Sequence, residues 1–154
     1  MAITVDDRLQ ITESISRYFV ALESSRPQDL RDIFEPDAIW EVIEYKGRDP
    51  IFRVQSFEEA EQIMRGNAAG PKHLFVHHLY NPPIFDELTS GEIRSTTRVL
   101  AFDQNWPWDI APRPRNFAFV TALWIRREGR WRIKSWSIQR GPSRSTPLEA
   151  EFAD

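Results

Sequence analysis

The sequence changes character near residue 70, and that switch constrains the fold more than any other feature. Before it, apolar residues recur mostly at helical spacing; after it, β-branched and aromatic runs continue to residue 140. Helices grouped early and strands grouped late predict an α+β domain. Residues 4–24 form the first amphipathic pattern. Ile11, Ile15, Tyr18, Phe19 and Leu22 make its apolar stripe, and Thr4 with Asp7 makes a capping-box start. "SSRP" closes it. "PQDLRDIF", from Pro27, reads as a second helix with Leu30, Ile33 and Phe34 inward. Residues 38–46, "AIWEVIEYK", read as a strand, and 48–55 as an irregular connection. "SFEEAEQIMRG", from Ser56, reads as a third helix stopped by Gly66. Strands are expected near 72–85, 91–104, 115–127 and 130–140. Residues 105–115, "NWPWDIAPRPR", carry three prolines and are expected to form a loop. The expected architecture is a curved antiparallel sheet closed by three helices. Such a cone has an open end that suits a small molecule. Residues 1–142 are read as one domain and 143–154 as an extended tail.

Composition narrows the function classes. The chain has 154 residues, enough for one domain with a real core. It has no cysteine, which excludes disulfides, thiolate metal sites and a cysteine nucleophile. The net charge is −3 with both signs interspersed, so no basic footprint for nucleic acid stands out. No apolar run approaches the ~18 residues of a membrane span, and a soluble, cytoplasmic protein is expected. Ten Phe and six Trp are many for one domain; packing accounts for most, and an apolar pocket could use the rest.

All three histidines fall within "HLFVHH": His73, His77 and His78. On a strand, His73, Phe75 and His77 share one face, and Leu74, Val76 and His78 the other. Four strand residues separate His73 from His77 by about 13 Å, too far to chelate one metal. There is no Gly-rich phosphate loop and no serine in a nucleophile-elbow sequence. A histidine that moves protons needs a partner to fix its tautomer. Candidate partners are Glu23, at the end of the first helix, and Asp103, at the end of the strand "RSTTRVLAFD". Tyr18 lies on the apolar stripe and needs a hydrogen-bond partner if buried. Arg140 closes the last strand. The bland readings are solvated caps for the acids, a surface cation for Arg140 and a structural role for each histidine.

The element order, with "ISRYFVALESSRPQDLRDIFEPDAIWEV" and "REGRWRIKSWSIQR", resembles the nuclear-transport-factor-2-like superfamily and, within it, the SnoaL-like branch. The resemblance spans roughly residues 5–140 and implies the same α+β cone. Scytalone dehydratase, bile-acid 7α-dehydratase and dehydrochlorinase are lyases of this kind. By similarity to them, "GPKHLF" places the base at His73, and "RYFVALE" places Glu23 where the last two carry Asp. Tyr18, Asp103 and Arg140 align with further polar positions of the bile-acid enzyme. Val42 stands where steroid isomerases carry their base. The resemblance thus implies a lyase or isomerase without cofactor or metal, acting on an apolar, cyclic or polyketide- or terpenoid-like substrate. Phe19, Trp40, Phe75, His77, Phe119 and Trp136 are the inferred substrate contacts. The alternative is a non-catalytic binding or subunit role, as in ring-hydroxylating dioxygenase β subunits. Members of the superfamily pair through the sheet's outer face, so a homo-oligomer is expected, with Trp124 and Val120 as the outward residues.

Overall fold

The computed structural model describes residues 2–43, 49–68, 74–105, 107–108 and 110–141, with 67 and 68 described by backbone alone. His73 and Trp106 lie outside the described residues, as do positions 44–48 and the tail from 142.

Helix α1 runs Val5–Glu23 and starts where the sequence predicts. Thr4 Oγ1 accepts from the Asp7 backbone N–H while Asp7 accepts from the Thr4 N–H, a complete capping box. Its far end closes as a Schellman motif. Ser25 takes a positive φ of 54°, its N–H donates to Leu22 O, and the Arg26 N–H donates to Ala21 O at 2.8 Å. This closure fixes where Glu23 projects.

The second expected helix is only a 3₁₀ turn, Pro27–Leu30, and Phe34 already opens strand β1, Phe34–Ile43. The reason is tertiary. Ile133 N–H donates to Ile33 O at 2.7 Å, and Arg132 donates to the carbonyls of Arg31 and Phe34. Glu35 holds that guanidinium at 2.9 Å. The last strand thus captures the chain before a second helical turn can form. The connection expected to be irregular contains strand β2, Phe52–Val54, which pairs with β1. Helix α2, Phe57–Ala68, runs through Gly66 rather than stopping there.

The strand expected at 72–85 is two, β3 (Leu74–Tyr80) and β4 (Ile84–Glu87), separated by Asn81-Pro82-Pro83 and both paired with β5. Proline cannot donate to the ladder, so the pairing breaks there. Strands β5 (Ile93–Asn105), β6 (Arg113–Arg127) and β7 (Arg130–Arg140) follow the expected pattern. Strand β6 begins inside the proline-rich segment. The two helices sit with a seven-stranded, curved, unclosed sheet of order β2-β1-β7-β6-β5-β3, with β4 alongside β5. One pairing departs from expectation: β1 and β7 are parallel.

Register explains the core. Trp40, Trp136 and Ala122 lie in one row across β1, β7 and β6. Val42, Ile138 and Val120 make the next. These residues face α1, whose Ile11, Ile15, Tyr18 and Phe19 are buried against them. Trp124 and Val120 are therefore core residues, fully or nearly buried, and not the outward pair the sequence suggested. Strand parity reverses that assignment. On β6 it is Phe117 and Phe119 that face out, beside Ala118 and Val120, which face in.

Five strand ends gather at one end of the sheet: the C-terminal ends of β1, β5 and β7 and the N-terminal ends of β3 and β6. This rim lies opposite the tight β6–β7 hairpin. Helix α1 runs from the hairpin end toward it.

Candidate active site

At the rim, Glu23 meets His78. One carboxylate oxygen, Oε1, accepts the His78 backbone N–H at 2.6 Å and lies 3.1 Å from Nδ1 of the same residue. Among the described residues β3 is an edge strand, and no strand among them receives that N–H. An ionised carboxylate only accepts, so Nδ1 carries the proton and Nε2 keeps its lone pair. The imidazole is mostly buried, its ring 5.1 Å from that of Phe19. Phe19 also stacks on Tyr80 at 4.9 Å, and the Tyr80 hydroxyl bonds to Ser16. Two faces, one from α1 and one from β3, are thereby locked together.

Burial pushes the His78 pKa below its ordinary 6.5. Glu23 opposes that shift by hydrogen bond and charge; the positive charge of Arg115 and neighbouring His77 reinforce it. Near neutral pH the ring is a neutral base with a fixed tautomer, the state that general-base chemistry requires.

The inner face of the sheet continues this site. His78 stands opposite Ala101, and Val76 opposite Asp103. Ala101 pairs with Asn116, and Ala118 pairs with Arg140. Asp103 follows the buried Val99 and Ala101 on one face, and Arg140 follows Trp136 and Ile138 on one face. The strand register therefore carries Asp103 and Arg140 to the same rim as the Glu23–His78 pair. Trp40, Trp136 and Phe19 are packed in the core beneath, at most 4% exposed, and present no open surface to the rim. Tyr18 belongs to that core as well. It is fully buried, its ring tilted against Trp136 at 4.2 Å, and its hydroxyl accepts from the Trp40 indole at 3.1 Å.

Three inferred substrate contacts are corrected. Phe75, His77 and Phe119 lie on the outer face, where His77 stands 3.3 Å from Gln104 Oε1. Parity is again the cause: Val76, His78 and Tyr80 take the inner face of β3, so the residues between them point away. His73 lies outside the described residues, and the Glu23 oxygen discussed above is engaged by His78. Sequence reading missed His78, Asn116, Tyr80, Ser16 and Arg115. Alternation could not single out His78, because both faces of "LFVHHLY" carry apolar residues.

Two hollows, of about 400 and 250 Å³, are lined by residues other than His78 and Glu23. Among the described residues, no group of three His or acidic side chains could hold a metal ion. No helix among them is long and apolar enough to cross a membrane.

A curved sheet with two helices and a buried imidazole–carboxylate pair at its rim defines a small-ligand α+β scaffold. Residues 4–137 match the SnoaL-like domain, and the chain belongs to that family. No curated protein matches it in sequence. Solved structures show the same fold at low identity. A protein of unknown function with a cystatin-like fold from Nostoc punctiforme superposes with TM-score 0.75 and 17% identity over 96% of this chain and 99% of that one. The β subunit of a candidate aromatic-ring-hydroxylating dioxygenase from Novosphingobium aromaticivorans gives 0.74 and 16%, over 92% and 93%. A candidate scytalone dehydratase from the same organism gives 0.68 and 15%, over 88% and 85%. One fold thus spans dissimilar proteins, and function has to be argued from the site.

Proposed function

We propose that this chain is a cofactor-independent lyase or isomerase acting on an apolar, cyclic or polyketide-like small molecule, with His78 as general base and Glu23 as its orienting acid. The observation that carries this reading is the double grip of one Glu23 oxygen on the backbone N–H and the ring of His78. In the reaction, Nε2 takes a proton from a carbon next to a carbonyl, and the C–H electron pair forms the enolate. In an elimination, the pair then makes a C=C bond as a β-hydroxyl departs, and the imidazolium returns the proton so that water leaves. In an isomerisation the proton goes back to a different carbon. Glu23 stabilises the imidazolium between the two transfers. Asp103 and Arg140 position the substrate's polar groups at the rim.

The test needs no native substrate. Incubated with 2-tetralone in D₂O, the parent chain should speed deuterium entry beside the carbonyl, read by proton NMR. His78→Ala should lose about 10²–10⁴ of that acceleration, the usual share of a general base. An alanine variant that exchanges like the parent would remove the reading.

A second reading, self-association through the outer face of the sheet, draws on a different observation. Leu79, Leu100 and Phe117 form one row across β3, β5 and β6 on the outer face, 64%, 38% and 48% exposed. Phe119, 41% exposed, flanks it on β6, and Phe75 lies two rows away on the same face of β3. Contiguous apolar surface of this kind marks an interface, and we infer pairing with a second copy through it. Phe117→Lys should convert a dimer to monomer in sedimentation equilibrium. Loss of deuterium exchange on monomerisation, with His78 intact, would tie the two readings together.

A further inference from the structure

Strand β6 carries one residue too many opposite β5. Ala101 pairs with Asn116 and Phe102 with Pro114, so Arg115 is the extra residue of a β-bulge. Bulges re-aim side chains, and they are over-represented beside active sites. Here the bulge sits in the same cross-strand row as His78, because His78 pairs with Ala101. The Arg115 guanidinium reaches Asp103 on the inner face at 3.3 Å and acts electrostatically on His78.

Resting on the acid–base reading above, we propose that Arg115 is a specificity-determining residue that selects substrates bearing a carboxylate on an apolar skeleton. Three observations converge. The contact with Asp103 joins one guanidinium nitrogen to one carboxylate oxygen between half-exposed side chains, 46% and 32%, so it is the kind of ion pair a ligand can displace cheaply. A guanidinium has five donors in a planar fork, which suits a carboxylate held through two parallel hydrogen bonds. Glu23, at the same rim, is committed to His78. An anionic group entering this rim therefore meets a cation whose tether can swing aside, while the apolar body lies against the partly exposed Val76, which stands opposite Asp103. Asp103 acts as the tether: it holds the fork toward the inner face when no ligand is bound.

The test measures binding alone, so it stands or falls separately from the base assignment. The probes are 2-naphthoate and its neutral counterpart 2-acetylnaphthalene, titrated into the full chain and followed by the His78 ring resonances and by calorimetry. Arg115→Gln should weaken 2-naphthoate about 10- to 100-fold, the loss expected for a charge-assisted hydrogen bond, and leave 2-acetylnaphthalene within about twofold. Arg115→Lys should recover part of the loss, because it keeps the charge and lacks the fork. Unchanged naphthoate affinity in Arg115→Gln would overturn the proposal. Equal weakening of both probes would do the same, as would failure of naphthoate to bind the parent. If instead His78→Ala keeps full deuterium exchange while the naphthoate result holds, the base assignment fails and the anion site remains.

Discussion

Helix α1 presents a carboxylate at each end, and the two have opposite fates. At the hairpin end, buried Asp7 accepts the Trp131 indole N–H at 2.8 Å, and Gln10 takes the Trp131 backbone N–H at 2.9 Å. At the rim, Glu23 alone takes both the ring and the backbone N–H of His78. The hydrogen-bonding logic is similar: α1 side chains grip a ring and a strand backbone N–H, one side chain doing both at the rim and two sharing the task at the hairpin end. The rings differ. Indole does not titrate, so the Asp7 contact can only pin the helix to the sheet. Imidazole titrates near neutrality, so the Glu23 contact can also set a proton's position. One end of the helix anchors, and the other, on the function proposed above, orients a base. Asp7 also completes the capping box and lies 3.5 Å from Arg126, whose guanidinium sits over the Trp131 ring. The anchoring end is thus the more heavily cross-linked.

The comparison breaks if the two ends respond alike. The largest effect is expected at the anchor. Asp7→Ala removes a cap and leaves a buried indole N–H unpaired, and should cost about 3 kcal/mol in denaturant unfolding. The folded fraction should keep its deuterium-exchange rate. At the rim, Glu23→Gln removes the charge that stabilises imidazolium. It should slow exchange about 10- to 100-fold while moving stability by less than about 1 kcal/mol. A stability loss matching that of Asp7→Ala would make Glu23 merely a second anchor.

Acid should separate the ends further. The folded His78 pKa lies below the ordinary 6.5, so the unfolded chain binds the extra proton first as pH falls. The stability from the neutral buried ring is complete above about 6.5. It is lost as pH drops toward the folded value. Exchange activity should fall through the folded pKa. The anchor's indole hydrogen bond, the strongest influence on Asp7, holds that carboxyl below 3.8, so its contribution should persist to lower pH. Unfolding curves and exchange rates between pH 8 and 3, in steps of about half a unit, would show the two losses apart.

The smallest effects concern two non-glycine residues with positive φ among the described residues, Ser25 at 54° and Glu128 at 49°. Ser25 ends α1 beside Glu23, and Glu128 leads the β6–β7 turn into Gly129, also at positive φ. Ser25→Gly and Glu128→Asn should each stabilise by up to about 1 kcal/mol, because these side chains strain the left-handed region. Ser25→Gly alone should also loosen the placement of Glu23, visible as a small fall in exchange rate.

Much of this was legible early. The capping box at Thr4 and Asp7, the apolar stripe of α1 and the β6–β7 hairpin follow from local pattern, because each is decided within a few residues. The second expected helix was lost because its signal is local too, and Arg132 and Ile133, about a hundred positions on, outbid it. The resemblance to the SnoaL-like branch pointed to Glu23, Asp103 and Arg140, which lie at one rim, but it pointed to His73 rather than His78 as the imidazole beside Glu23. His78 and Arg115 were hidden for one reason. A single residue of strand parity, or one extra residue in a bulge, decides which face a side chain takes, and neither leaves a mark in an apolar run.

The chain by itself thus determined its class: helices first, antiparallel strands after, an aromatic core and an acid at the end of α1. These follow from periodicity, caps and turn residues, which act over short distances. Tertiary structure alone decided which imidazole that acid grips, which aromatic residues face out and which arginine faces in. Those outcomes depend on strand register, and register is settled only when the strands pair.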